Sequence, residues 1–200
     1  MARTTLRSML LAGAVALAAF PAAAQTLEVA IDGSPAGLDP HIITAFTSFM
    51  VVNRTIYEGL TSVDKDLRLA PGIAESWTVA PDGKTYTFKI RSGATFHNGA
   101  PVEAADVVAS LKRVLGKDIA SPLASRLAAV DTITANGSSV ELKLKEPSAP
   151  LLTSLATIAI VPRAFEADKD GLQKLPVGTG PFKFKEWQPN GFILLTKHDG

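Results

Sequence analysis

The chain is 200 residues long, with 20 Lys and Arg against 19 Asp and Glu and a formal net charge of +1. That balance leaves no basic cluster of the kind a nucleic acid or other polyanion needs. Cysteine is absent from the sequence, which rules out disulfides and a thiol nucleophile, so a packed core has to hold the fold.

Arg3 and Arg7 precede an uncharged apolar run over residues 9–20, followed by "PAAAQ". A permanent membrane helix needs about 20 apolar residues, so the run has the shape of a secretory signal, with Ala22 and Ala24 as the small residues a signal peptidase accepts. Cleavage is expected after Ala24. With no Cys behind the run, a lipid anchor is not expected, and the exported chain should be soluble. Removing residues 1–24 takes away Arg3 and Arg7 and no acid, leaving 18 Lys and Arg against 19 Asp and Glu.

Leu27, Val29 and Ile31 in "TLEVAIDG" alternate with polar neighbours, the pattern of a strand with one buried face. Pro35, Gly37 and Pro40 break it. Phe46, Phe49, Met50, Val52, Ile56, Tyr57 and Leu60 then recur at helical spacing, predicting a helix that ends near Gly59. Trp77 and Val79, a turn at "PDG", and Tyr86, Phe88 and Ile90 read as a hairpin, since Asp-Gly tolerates the positive φ a tight turn requires. Pro101 opens a helix to about Val114 with Ala105, Val107, Val108, Leu111 and Val114 as its buried stripe, and Lys112 and Arg113 on a solvated face. A second hairpin turns at Asn136-Gly137, with Val140, Leu142 and Leu144 facing one way. A short helix at "APLLTSLA", a buried strand at "TIAIVP", a helical surface segment at "RAFEADKDGLQKLP" and two strands over residues 182–187 and 192–197 complete the pattern. Helices and strands are mixed throughout, so the class is α/β or α+β.

Chemistry-bearing motifs are sparse. His97 in "FHNG" stands far in sequence from His41 and His198, without the i, i+4 spacing of a helical metal site, and reads as a turn histidine bonded to local backbone. Asp64 and Asp66 lack the further oxygen ligands of a calcium loop and read as a surface turn. "VGTGP" has a GxG, but Pro181 opens a strand where a phosphate cradle would open a helix. No Gly-x-Ser-x-Gly nucleophile turn is present, and nothing assembles into an active site. Phe46, Phe49 and Met50 at helical spacing read first as core and second as the lining of a ligand cavity.

Taken in order, "GLDPH", "YEGL", "AESWTVAPDGKTYTFKIRSGATFHNGAPVEAADVVASLKRV", "LLTSLATIAIVP" and "PVGTGPFKFKEWQPNGFILL" resemble the extracytoplasmic solute-binding proteins, family 5, of ABC importers, which include dipeptide-, oligopeptide- and nickel-binding receptors. The resemblance runs from about Thr26 to Gly200. It implies an α/β, periplasmic-binding-protein-like fold of the bilobed type II with an extra small α+β domain, and no catalytic residues, cofactor or metal. Residues 25–45 would then open the main lobe, 46–176 form the small domain and 177–200 return to the main lobe. Family members are considerably longer, so the opposing lobe is expected to lie beyond this sequence.

The implied partners are a short peptide or similar small solute and an inner-membrane ABC permease with its ATPase. No nucleic acid is implied, and the protein is expected as a periplasmic monomer. By position against the family's motifs, the solute-facing candidates are Ala45, Phe46, Phe49 and Met50, then Leu123, then Thr157 and Ile158. A receptor for chelated nickel or another non-peptide solute, and a secreted module without a transport role, are the competing readings.

Overall fold

The computed structural model describes residues 26–198, and the leader expected over residues 1–24 lies outside them. The chain divides into two units, Met1–Ala30 and Ile31–Gly200. In the first, residues 26–30 form no regular secondary structure and are exposed, Leu27 at 85% and Val29 at 73%. The strand expected over residues 26–33 is therefore not formed. Alternation becomes a strand only where a neighbour takes up the backbone groups, and no strand among the described residues pairs with this segment.

The second unit runs α1 (Phe46–Val52), β1 (Thr61–Val63), β2 (Leu69–Pro71), β3 (Ala74–Val79), β4 (Thr85–Ile90), α2 (Ala104–Leu115), β5 (Val130–Asn136), β6 (Ser139–Leu144), α3 (Leu151–Leu155), α4 (Gly171–Lys174), β7 (Phe182–Gln188) and β8 (Phe192–Lys197), with 3-10 turns at Ala124–Leu127 and Arg163–Phe165. No helix among the described residues is long and apolar enough to cross a membrane.

Both expected hairpins form and join into one antiparallel sheet, β3-β4-β6-β5, with Tyr86 opposite Leu142 and Phe88 opposite Val140. The second hairpin turns one residue later than expected. Asn136 stays in β5 opposite Ser139, and Gly137, at φ 58, opens the turn. The inner face buries Phe88, Val140 and Leu142 completely, and α2 lays Val107, Leu111 and Val114 over it. Burying each such side chain contributes about 2 kcal/mol. Ala105 and Val108 are only partly buried, because a second face of α2, carrying Asp106, Ser110 and Arg113, is buried against other segments.

A smaller core gathers Leu38, Ile43, Val52, Ile56, Tyr57, Ala159, Val161 and Leu172, with Phe184, Trp187, Ile193 and Leu195 of the β7-β8 hairpin packed on it. Between the two cores runs the segment that was expected to continue α1 to Gly59. The helix stops at Val52, and Arg54 takes φ 67. Its carbonyls are claimed by other parts of the chain. Those of Thr55, Ile56, Glu58, Gly59 and Leu60 accept from the backbone N–H of Phe182, Gly180, Ile160, Ile73 and Ala74 at 2.8–3.0 Å. A carbonyl committed sideways cannot also close a helical turn.

The same competition dissolves two other expected elements. "TIAIVP" is buried as expected but makes a single bridge, Ala159 to Gly59, because the Val161 N–H goes to the Ser110 hydroxyl at 2.9 Å. "RAFEADKDGLQKLP" forms the turn Arg163–Phe165 and the short α4 in place of one longer helix.

The GxG of "VGTGP" has a packing role. A Cβ at Gly178 would collide with the Ile56 carbonyl oxygen, and one at Gly180 with that of Thr55. Backbone meets backbone here, so the collision cannot be relieved by a side-chain rotation. Gly178→Ala is expected to lower stability by about 2 kcal/mol, read as a lower urea midpoint with an unchanged slope. An unchanged midpoint would contradict this account of the close approach.

Candidate functional site

Among the described residues, Arg113 is the largest side chain that is fully buried. The solvated face expected for Lys112 and Arg113 holds for Lys112 alone. A guanidinium keeps its charge at any ordinary pH and presents five donors, so burying it requires five acceptors. All five are present. Nε donates to Phe165 O at 2.9 Å, Nη1 to Asp39 Oδ1 at 3.1 Å and His41 Nδ1 at 3.0 Å, and Nη2 to Asp39 Oδ2 at 2.6 Å and Asp168 O at 2.8 Å. Asp39 is equally buried, and the pair is bidentate.

The "GLDPH" corner is fixed from the other side as well. Gln173 Oε1 accepts from the N–H of Leu38 at 2.7 Å, and Asp39 Oδ1 accepts from the His41 N–H at 2.9 Å. Because His41 Nδ1 faces a donor, its proton sits on Nε2 and is donated to Ala159 O at 2.8 Å. Ser121 Oγ donates to His41 O and accepts from the Leu123 N–H at 3.2 Å. Residues 39–41, 121–123 and 159, scattered along the sequence, are thus stitched together around one imidazole. Burial pushes the His41 ring down from 6.5 to about 4, with the Arg113 charge acting the same way and the Ala159 bond and Asp39 opposing.

His97 is tied to distant backbone, not to its own turn as expected. Its N–H donates to Gly178 O at 2.8 Å, Nε2 donates to Gly180 O at 2.9 Å, and Nδ1 accepts from the Gly178 N–H at 3.4 Å. The polar corner after the first hairpin therefore latches onto "VGTGP". His198, far off in sequence, lies edge-on to it with ring centroids 4.9 Å apart. Desolvation first, then the neighbouring His198 and Lys183, lower the His97 pKa against the Gly180 bond. No group of three or more potential metal ligands occurs among the described residues. Asp64 sits in an exposed turn, its Oδ1 accepting from the N–H of Asp66 and Arg68, as the surface-turn reading expects.

Four of the seven solute-facing candidates lie at α1. Ala45 and Phe49 are half-buried, and Phe46 and Met50, one turn apart, are 75% and 54% exposed. Leu123 is half-buried on the larger core, and Thr157 is half-buried. Ile158 is fully buried within the larger core, so its side chain packs beneath the surface. Arg126 links the segments that carry Leu123 and Thr157: its backbone N–H closes the local turn on Leu123 O at 3.0 Å, and its Nη1 donates to Thr157 Oγ1. None of the seven lines either of two surface cavities, one of about 200 Å³ beside Arg54, Glu58 and Ala156 and one of about 370 Å³ beside Lys112 and Arg163.

A family model described as "Bacterial extracellular solute-binding proteins, family 5 Middle" matches residues 68–200. The chain is similar to a glutathione-binding protein, GsiB, of Salmonella paratyphi A, at 34% identity over 94% of this chain and 37% of the relative. Among solved structures it is similar to AgaA of A. tumefaciens R10 in complex with agropinic acid, with TM-score 0.78 and 34% identity over 84% of this chain and 34% of that one. It is also similar to the oligopeptide-binding protein AppA of Bacillus subtilis in complex with a nonapeptide, with TM-score 0.78 and 30% identity over 84% and 35%. The chain thus spans between a third and two fifths of the length of these relatives. They are binding proteins, and the covered portion has the mixed α/β architecture of periplasmic binding proteins.

Two predictions follow from the buried pair and its histidine. Arg113→Met leaves Asp39 charged and unpaired in the interior, and is expected to cost about 3–5 kcal/mol in urea unfolding, whereas Lys112→Met next to it should stay within about 0.5 kcal/mol. The folded-state pKa of His41 lies below its unfolded value, so the unfolded chain binds the extra proton. Stability from this group is full above pH 6.5 and is lost as pH falls toward 4. The loss should reach about 3 kcal/mol, and histidine NMR near pH 5 should show the His41 ring neutral with its proton on Nε2. A ring already protonated at that pH would contradict the assignment.

Proposed function

Because the chain belongs to the bacterial extracellular solute-binding proteins of family 5, we propose that it is the N-terminal part of a periplasmic receptor of an ABC importer. The receptor holds a short peptide or similar small solute between two lobes and hands it unchanged to the permease. The match over residues 68–200 carries this reading. Residues 1–24 export the chain and are removed after Ala24. Residues 25–45 and 177–200 belong to the main lobe and 46–176 to the small domain. The protein acts as a monomer, with no catalytic residue or cofactor.

In this reading Ala45, Phe46, Phe49, Met50, Leu123 and Thr157 form part of one wall of the solute cleft, and Ile158 is the floor beneath it. The exposure of Phe46 and Met50, two large apolar side chains a turn apart, supports this. The stitched segments around His41 keep the wall rigid, so that closure occurs at hinges elsewhere. The relatives that bind glutathione and a nonapeptide favour a peptide-like solute. The one in complex with agropinic acid favours a second reading, a non-peptide solute.

Titration calorimetry of the intact receptor with glutathione, di- and tripeptides and agropinic acid is expected to give saturable heat with a peptide-like member of this set. Mass spectrometry should recover that solute unaltered. Heat from agropinic acid alone would move the assignment to the second reading. Chemical turnover of the bound compound would end the receptor reading.

A further inference from the structure

We infer that Arg126 anchors a carboxylate of the solute, so that the receptor selects ligands bearing a free carboxylate group. This rests on the receptor reading above and adds to it the chemistry that the wall recognises. Arg126 sits in the 3-10 turn Ala124–Leu127, whose inner residue Leu127 is fully buried while Arg126 is exposed. A buried leucine next to an exposed arginine on one tight turn fixes the backbone and directs the long side chain outward. The guanidinium then crosses to the neighbouring segment, where Nη1 donates to Thr157 Oγ1. That hydroxyl lies 2.7 Å from Ser154 O and donates to it, leaving its lone pairs for Arg126.

The partner of Arg126 is therefore a neutral oxygen, and among the described residues no carboxylate pairs with it. Arg54 also meets a neutral oxygen, Val63 O at 2.8 Å, whereas two other arginines are closed on carboxylates. Arg113 is closed on Asp39 at 2.6 Å, and Arg163 is paired with Glu103 at 2.6 Å. Tethering one Nη1 hydrogen restrains the side chain without neutralising it. Nε–H and the Nη2 donors form the free edge of a planar fork, which matches the two oxygens of a carboxylate. A single guanidinium carries one positive charge, which suits one carboxylate better than a phosphate dianion. The fork rests on Thr157 while the backbone N–H of Arg126 closes the turn on Leu123 O, so a solute resting on a wall that includes these two candidates meets it.

The test compares triglycine with triglycine amide, and glutathione with its diethyl ester, by calorimetry on the intact receptor and on its Arg126→Gln, Arg126→Lys and Thr157→Val variants. A charge-assisted pair of hydrogen bonds corresponds to about 10- to 100-fold in affinity. The unmodified receptor should prefer the free acid by that factor. Arg126→Gln should bind acid and blocked forms alike, at the affinity the blocked form had before. Arg126→Lys should keep part of the preference, and Thr157→Val should weaken it by loosening the fork.

Because Arg126 is exposed, the thermal midpoint should not move with Arg126→Gln, which separates loss of the anchor from loss of the fold. If Arg126→Gln retains the full preference, or the unmodified receptor shows none while binding both forms, the anchor is overturned and the receptor reading stands. If no probe in either form binds the unmodified receptor, the peptide-receptor reading fails and the anchor fails with it.

Discussion

A guanidinium buried without solvent governs the arrangement of this chain. Arg113 cannot shed its proton, and each of its five N–H groups would carry a desolvation penalty of about 1–3 kcal/mol if left unpaired. Five acceptors must therefore arrive together, and they come from Asp39, His41, Phe165 and Asp168. The positions of the "GLDPH" corner and of the loop after residue 162 follow from that requirement. The loop's failure to continue as a helix follows as well, since the Phe165 and Asp168 carbonyls are committed to Arg113. Such a pair is weak evidence for net stability, because its desolvation offsets much of its Coulomb gain. Its strength lies in specifying one arrangement, since any other packing leaves a charge stranded.

A second constraint acts through backbone alone. Residues 55–60 present their carbonyls to three separate stretches of chain and lie between the two hydrophobic cores. Gly178 and Gly180 let the return segment approach that rail closely, and His97 holds the same two glycines from the hairpin side. A close backbone approach, an imidazole latch and a buried ion pair thus converge on segments distant in sequence. In the proposed receptor, a surface fixed in this way would spare binding energy the cost of ordering the wall.

Local pattern made much of this legible. The two hairpins carry their own turn chemistry, and Gly83 and Gly137 take the positive φ that "PDG" and Asn-Gly suggest. Where tertiary partners outbid local preference, the pattern misled. The apolar spacing over residues 46–60 fits a helix, yet the carbonyls of its second half are claimed from outside. Arg113 beside Lys112 looked like an ordinary solvated pair. A signal was present all the same, because Asp106, Ser110 and Arg113 fall on one face of α2, apart from Lys112, and three polar residues on one helix face indicate either solvent or a buried network. Only the position of Asp39, far away in sequence, distinguishes the two. The resemblance to family motifs offered Leu123 and Thr157 as candidates to face the solute, but Arg126 between them carries no motif, and its bond to Thr157 is a tertiary contact that no local pattern announces.

The two arginines show how one chemistry serves opposite ends. Arg113 has its five donors satisfied inside the fold, is wholly buried and has nothing left to offer a ligand. Arg126 is exposed and tethered to a neutral hydroxyl, with donors left over. Converting the first into a ligand-binding group would require opening the core, and neutralising the second with an internal carboxylate would remove its free edge. Charge satisfied inside the fold at Asp39 and Arg113 thus coexists with charge left open to solvent at Arg126.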